Sequence, residues 1–246
     1  MVYAPAGTGK TMLNATLPSP IIISAESGLL SLAPSNIERV YGPGRPDIAY
    51  NMPVIKIRNI ADLQDAYRWF SESHEATAYQ TCSLDSITEI LEQVLGEAKK
   101  AYKDPRQAYG ELAVVGEDLI RKFRDLNGWN VYMSSKMAPF KDEMANITKY
   151  GPMAPGSKLA PAIPYFFDML FALRIGQDEE GNTFRYLQTQ PCIQYEAKDR
   201  SGALAPSEEP HLGNIIAAIQ QSGYVEGDPN THVADEYIDV PAFEGQ

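Results

Sequence analysis

This 246-residue chain has little sulfur and little histidine, with two cysteines and three histidines. Cys82 and Cys192 lie far apart, and neither has a partner at metal-ligand spacing, so both a disulfide scaffold and a cysteine-rich zinc site are excluded. No apolar run reaches membrane length and the amino end does not read as a signal peptide. No internal repeat recurs, which excludes solenoids and propellers. Together these absences predict a soluble protein of a reducing compartment, the cytoplasm.

Positive charge is also in short supply. Lys and Arg number 21 against 32 Asp and Glu, a net charge of −11. Such a balance argues against an extended nucleic-acid footprint, but its distribution qualifies that. The stretch from Tyr224 onward holds six acidic residues and no Lys or Arg, which leaves the body at −5. Within the body, "KKAYKDPR" (99–106), "RKFR" (121–124) and the lysines between Lys136 and Lys158 form basic clusters. They permit a nucleic-acid partner and are equally compatible with solvated faces. The division read from this pattern is a core over 1–223 and a flexible acidic tail over 224–246.

Apolar runs and breakers set out alternating elements. "PIIISAESG", "VIKIRN", "QTCSLD" and "WNVYMSS" read as strands. Helices are predicted for "KTMLNATL", stopped by Pro18, and for "IADLQDAYRWF", "SITEILEQVLGEAKKAY" and "YGELAVVGEDLIRKFRDLNG". Strands alternating with helices predict a mostly parallel sheet flanked by helices. From Lys136 to about Pro164 periodicity is lost, and a long functional loop is predicted. Beyond it "DMLFALRIG", "TFRYLQTQ" and "CIQYEAK" read as antiparallel strands, and "LGNIIAAIQQSG" as a last helix.

The chemistry-bearing motif comes first in the chain. Ala4-Pro5-Ala6-Gly7-Thr8-Gly9-Lys10-Thr11 fits the phosphate-loop pattern G-x-x-x-x-G-K-[ST], with Ala at the first Gly. In such a loop backbone N–H groups cradle phosphates, the lysine neutralises the β and γ oxygens, and the Thr hydroxyl holds Mg²⁺. Ala6, Gly7, Thr8, Gly9, Lys10, Thr11 and Met12 are therefore the candidate nucleotide-binding residues. Only three residues precede the loop, and a shortened first strand is expected, since a central strand normally has about five or six.

A second Mg²⁺-side group is expected at the end of a neighbouring apolar strand. Asp85 fits; its alternative is to cap the helix that follows. Glu26, at the carboxyl end of "IIISAE", is the candidate for orienting the attacking water, its alternative being a surface acid beside a turn. Metal ligation is thus predicted for Thr11 and Asp85.

With these residues in order, the chain resembles the RecA-type ATPases, and more closely the compact phage nucleotide-binding proteins that include RecA-like single-strand annealing proteins. "APAGTGKT", "SAESG", "LDSITEI" and a final hairpin closing on "EAKDRSG" carry the resemblance. It implies a RecA-like P-loop NTPase core, α/β, with antiparallel C-terminal strands. It also implies an ATPase stimulated by DNA, using ATP and Mg²⁺, with Glu26 as the catalytic glutamate and Asp85 on the Mg²⁺ side. Lys198 and Arg200, two residues apart on a strand end, are implied as fingers on a neighbour's ATP; a solvated turn is the alternative reading. Ser134, Ser135 and Lys136 fall where the family has its sensor strand, without the amide or His often found there. Segments 99–110 and 137–162 fall near its DNA loops, where Tyr102, Tyr109, Phe140 and Tyr150 either stack on bases or pack.

The implied partners are single-stranded DNA, further copies of this chain with ATP at the interfaces, and a single-strand-binding protein. The implied location is the host cytoplasm. Two other classes stay open: a DNA-independent NTPase switch or small-molecule kinase, and a non-enzymatic assembly partner. The long 137–162 stretch contains no Arg, against a kinase lid.

Overall fold

The computed structural model of the chain describes residues 1–26, 29–142 and 146–222. The order is β1 (Val2–Ala4), a 3-10 helix (Thr11–Thr16), β2 (Pro20–Ser24), α1 (Pro34–Tyr41), β3 (Val54–Lys56), α2 (Ile60–Glu72), β4 (Thr81–Asp85), α3 (Ile87–Ala101) and α4 (Pro105–Arg124). There follow β5 (Asn130–Asp142), β6 (Ile147–Pro152), α5 (Leu159–Phe166), β7 (Met169–Gln177), β8 (Thr183–Gln188), β9 (Lys198–Asp199), β10 (Ser207–Glu208) and α6 (Leu212–Gln221). The predicted tail from residue 224 lies outside the described residues.

The strands form one sheet in the order β10-β8-β7-β1-β5-β4-β2-β3, with β6 added to β5 and β9 to β7. The six strands from β7 to β3 run parallel. β8 and β10 add antiparallel strands at one side. This is the mixed α/β architecture expected from the alternating pattern. One strand, β5, separates β1, which leads into the phosphate loop, from β4, which ends in Asp85.

Side-chain alternation feeds two cores. Tyr3, Met133, Leu170 and Ala172 join the face covered by α2 to α5. Their neighbours Val2, Ala4, Tyr132, Phe171 and Leu173 join Leu13, Leu17, Leu212 and Ile215 on the other face, as the period of two requires. β2 and β4 are buried at every position; β2 accordingly reads as an apolar run, while β4 buries the polar Thr81, Ser83 and Asp85 between Cys82 and Leu84. Four α-helix starts carry side-chain caps, α6 through His211, which accepts from the Asn214 N–H. Asn59 accepts from the Asp62 N–H, Ser86 from Glu89 and Asp104 from Arg106.

Two expectations are corrected. The region from Lys136 is not a long loop: β5 runs on to Asp142 and pairs with β6 from Met137↔Pro152 to Asp142↔Ile147, and α5 follows. The outer half of this ribbon is exposed or half-buried, so it lacks the apolar alternation that would have announced it. Gly151 makes room in it, since a Cβ there would lie 3.1 Å from the Phe140 ring.

"CIQYEAK" is not a regular strand either. It forms one bridge, Tyr150↔Tyr195, and then the two-residue β9 beside Met169 and Leu170. Its backbone instead brackets Tyr150, whose N–H donates to Gln194 O and whose carbonyl accepts from the Glu196 N–H at 3.0 Å. The Tyr3 hydroxyl donates to the same Tyr150 carbonyl at 3.0 Å.

The packing of α3, α4 and α5 depends on Gly116. A Cβ there would stand 2.8 Å from a Leu91 methyl and 3.0 Å from a Leu159 methyl. Gly116→Val is therefore expected to destabilise the fold by about 1–3 kcal/mol through overpacking. Urea unfolding of the variant beside the parent protein checks this; an unchanged midpoint would mean the three helices are not closely packed there.

Candidate nucleotide-binding site

The parallel register brings the candidate residues to one edge. Ser24 pairs with Asp85 across β2 and β4, and Ala4 pairs with Lys136 across β1 and β5. The loop after Ala4, the Glu26 segment and Asp85 all leave the sheet at its carboxyl ends, where ligands bind in open α/β sheets. The first strand is three residues long, extended on either side by β5 and β7.

The loop has the form an anion needs. Gly7 and Gly9 hold φ of 75° and 109°, the left-handed region that glycine enters without penalty. Among the described residues the N–H groups of Gly7, Gly9 and Lys10 donate to no protein acceptor. Lys10 Nζ donates to the Ala4 and Pro5 carbonyls at 2.8 and 2.9 Å. Burial lowers its pKa, while Asp85 and Glu26 pull in the opposite direction and so stand in the same electrostatic neighbourhood. Unpaired amides, a lysine and the 3-10 helix start at Thr11 fit a nucleotide's phosphates.

Asp85 is 5 % exposed. Ser134 Oγ donates to Asp85 Oδ1, and Asn14 Nδ2 to Oδ2 at 3.2 Å. The helix-cap alternative is not what the structure has, because Ser86 caps α3. Asn14 also donates to the Thr11 carbonyl at 2.9 Å and accepts from Ser83 Oγ. Among the described residues no group of three or more acidic, His or Cys side chains is assembled to hold a metal alone. Mg²⁺ takes one or two carboxylates together with substrate phosphates; Thr11 and Asp85 are the residues that would hold it.

Glu26 is half-buried and its Oε1 accepts from Ser86 Oγ at 3.0 Å, so it is a fixed group at the site edge rather than a free surface acid. On β5 Ser134 serves Asp85, and Ser135 Oγ shares a 3.1 Å hydrogen bond with Thr88. Lys136 pairs with Glu89, which raises the lysine's pKa.

Lys198 and Arg200 are not brought to this edge. β9 pairs with the start of β7, at the amino ends of the parallel strands. Lys198 Nζ donates to Pro164 O at 2.7 Å and Arg200 pairs with Asp168 at 2.7 Å. The single shared target expected of two cations at i and i+2 is absent, because β9 ends at Asp199 and Arg200 has left the strand. Asp199 instead organises a turn, accepting from the Ser201 and Leu204 N–H groups.

The segments expected near DNA, 99–110 and 137–162, border one groove of about 460 Å³ lined by Arg106, Tyr109, Gly156 and Lys158 among others. Lys99 Nζ lies 5.5 Å over the Tyr109 ring. Phe140, Tyr102 and Tyr109 are exposed. Tyr150 is committed elsewhere, stacked on Tyr195 at 5.1 Å, and Lys149 pairs with Asp142 at 3.0 Å.

Sequence reasoning missed Asn14, Ser83 and Arg185, whose Nε donates to the loop carbonyl of Thr8 at 2.7 Å. Asn14 could have been found as a polar residue on the inward face of the first helix. Nothing local marks Arg185.

Fold and site together define a mixed α/β domain with a phosphate loop at the carboxyl edge of its parallel strands. The family described as AAA domain matches residues 1–201, and the chain belongs to it. No curated protein gives a match. Among solved structures the chain is similar to a KaiC-like protein from the hyperthermophilic archaeon Pyrococcus horikoshii OT3, at 12 % identity and a TM-score of 0.39, over 80 % of this chain and 81 % of that one. Among the described residues no helix is long and apolar enough to cross a membrane.

Lys10→Ala is expected to abolish ATP binding measured by calorimetry while leaving the melting temperature within a few degrees. Glu26→Gln is expected to keep ATP affinity and lose roughly a hundredfold or more in turnover. Unchanged affinity in the first variant, or unchanged turnover in the second, would remove the corresponding assignment.

Proposed function

We propose that this chain is a DNA-stimulated ATPase that binds single-stranded DNA and assembles with copies of itself around ATP, as a recombinase core or a single-strand annealing protein. The observation that carries the ATPase half is the convergence of the Gly7–Thr11 loop, Asp85 and Glu26 at one sheet edge. The loop amides and Lys10 bind the β and γ phosphates. Asp85, oriented by Ser134 and Asn14, faces the metal side with Thr11, and Glu26, held by Ser86, orients the attacking water. Mg²⁺, when bound, neutralises charge developing on the β and γ oxygens.

The DNA half is supported by the β5–β6 ribbon rising from the strand that supplies Ser134, and by the groove between its return and α4, with Arg106, Lys158 and the Tyr109 ring around it. ATP hydrolysis assayed with and without single-stranded DNA separates this reading from a DNA-independent switch and from a non-hydrolysing partner. The triple variant of Lys99, Lys100 and Lys103 to Ala is expected to weaken single-strand binding. The slope of log affinity on log salt should become shallower by roughly 0.7 for each phosphate no longer neutralised. An unchanged slope would remove these lysines from the interface.

Action of Arg200 across a subunit boundary is tested by mixing. Arg200→Ala subunits combined with Lys10→Ala subunits are expected to recover part of the ATPase activity that neither has alone, because intact loops then meet intact fingers. An Arg200→Ala protein as active as the parent, or no recovery in demonstrated co-assemblies, would exclude that role.

A further inference from the structure

Arg185 belongs to β8, opposite Ile175 of β7, yet its side chain crosses the sheet edge to the phosphate loop. Nε donates to Thr8 O at 2.7 Å. The side chain passes beside Gly9, where an added Cβ would lie 3.6 Å from Nε and 3.8 Å from Cδ. Arg45, Arg121 and Arg200 spend their guanidinium groups on carboxylates. Among the described residues Arg185 has no carboxylate partner, and its two Nη groups meet no protein acceptor.

The sheet order fixes which part of a nucleotide this cation faces. The γ-phosphate end points toward Asp85 and Glu26, carried by β4 and β2. From β1 those strands lie on the β5 side, whereas β7 and β8 lie on the other. A triphosphate cradled by residues 7–11 and laid along the sheet edge with its γ-phosphate toward β4 would carry its nucleoside toward β7 and β8, where Arg185 stands. The Tyr41 hydroxyl donates to Met12 O at 3.5 Å on the flank of the same loop. Burial pushes this phenol up to about 12, with Arg185 and Arg45 the nearby cations that oppose the shift.

We propose that Arg185 is a nucleoside-binding residue acting within its own subunit: tethered through Nε to the Thr8 carbonyl, it lays its guanidinium plane against the base of a bound nucleoside di- or triphosphate. This deepens the nucleotide-binding reading above and rests on it. A planar, always-charged guanidinium stacks on π faces in a way an ammonium does not, and the tether leaves the plane ordered before ligand arrives.

Binding of ATP, ADP and inorganic tripolyphosphate to the full chain, measured by calorimetry, tests the proposal. Arg185→Ala is expected to weaken ATP and ADP by a similar factor, roughly tenfold, and to leave tripolyphosphate unchanged. Arg185→Lys, which keeps charge but not the plane, is expected to resemble Arg185→Ala. Weakening of ATP with ADP unaffected would place the group at the γ-phosphate and overturn the proposal. Equal weakening of tripolyphosphate would reduce Arg185 to a support for loop shape, and three unchanged affinities would remove it altogether. A parent protein that binds none of the three, or a Lys10→Ala variant that binds all of them as the parent does, would instead bring down the nucleotide-binding reading itself.

Discussion

A single buried carboxylate holds the carboxyl edge of this sheet together. At 5 % exposure Asp85 has almost no water to solvate it, and an ionised group there is tolerable only when protein dipoles replace that water. Ser134 on β5 and Asn14 on the first helix supply them. Each donor comes from a different element, so the hydrogen bonds that keep the carboxylate buried also fix the relative placement of β4, β5 and the phosphate-loop helix. Asn14 carries the constraint further. It accepts from Ser83 on β4 and donates to the carbonyl of Thr11. Thr11 is thereby tied to the strand that bears Asp85, the two residues proposed to face the metal. Disturbing any member leaves a buried polar atom without its partner, a cost of about 1–3 kcal/mol before function is considered.

How much of this was legible follows from how local each signal is. The phosphate loop is written in contiguous residues because its conformation demands glycine at Gly7 and Gly9. Glu26 was readable because β2 is an apolar run whose carboxyl end the first acid marks, and Asp85 because it closes the short strand segment just before the helix that starts at Ile87. The β5–β6 ribbon was not readable, since its outer half is exposed or half-buried and has no fully buried face to enforce alternation, and Pro139, Gly151 and Pro152 imitate a loop. Arg185 meets Thr8 across 177 positions of sequence, a meeting made by the order of strands in the sheet and by nothing near either residue. The joint reach expected of Lys198 and Arg200 failed for a local reason. A shared target needs a strand that continues through both, and β9 stops at Asp199.

The ribbon is mechanically part of the site. β5 is one strand from Asn130 to Asp142, carrying Ser134 beside Asp85 and, two residues on, Lys136 against Glu89 of α3. Where the ribbon leaves the sheet it is pinned twice more. Thr88 Oγ1 donates to Met153 O at 2.9 Å, and the Met153 N–H donates to Lys136 O at 2.7 Å. Extended backbone between these pins has little slack, so a displacement at Ser134 and one at the ribbon base are not independent events.

The cations sort by edge, and magnitudes then decide what each is free to do. Lys10, Lys136 and Arg185 stand at the carboxyl edge, within reach of their own loop. Lys198 and Arg200 stand at the amino edge, where any phosphate they met would belong to another molecule. The intrachain partner of Arg200 does not forbid this. The Arg200 and Asp168 side chains are 58 % and 39 % exposed, and a pair that open to solvent is worth at most about 1 kcal/mol. A guanidinium meets a phosphate through the same charge-assisted, frequently bidentate geometry it uses for a carboxylate, so exchanging Asp168 for a neighbour's phosphate would cost little. Lys198 is held differently: burial lowers its pKa and Arg200 adds repulsion, so removing Arg200 from its side would favour the charged lysine where it already sits, on the Pro164 carbonyl. Of the two cations it is Arg200 that the energetics leave free to move.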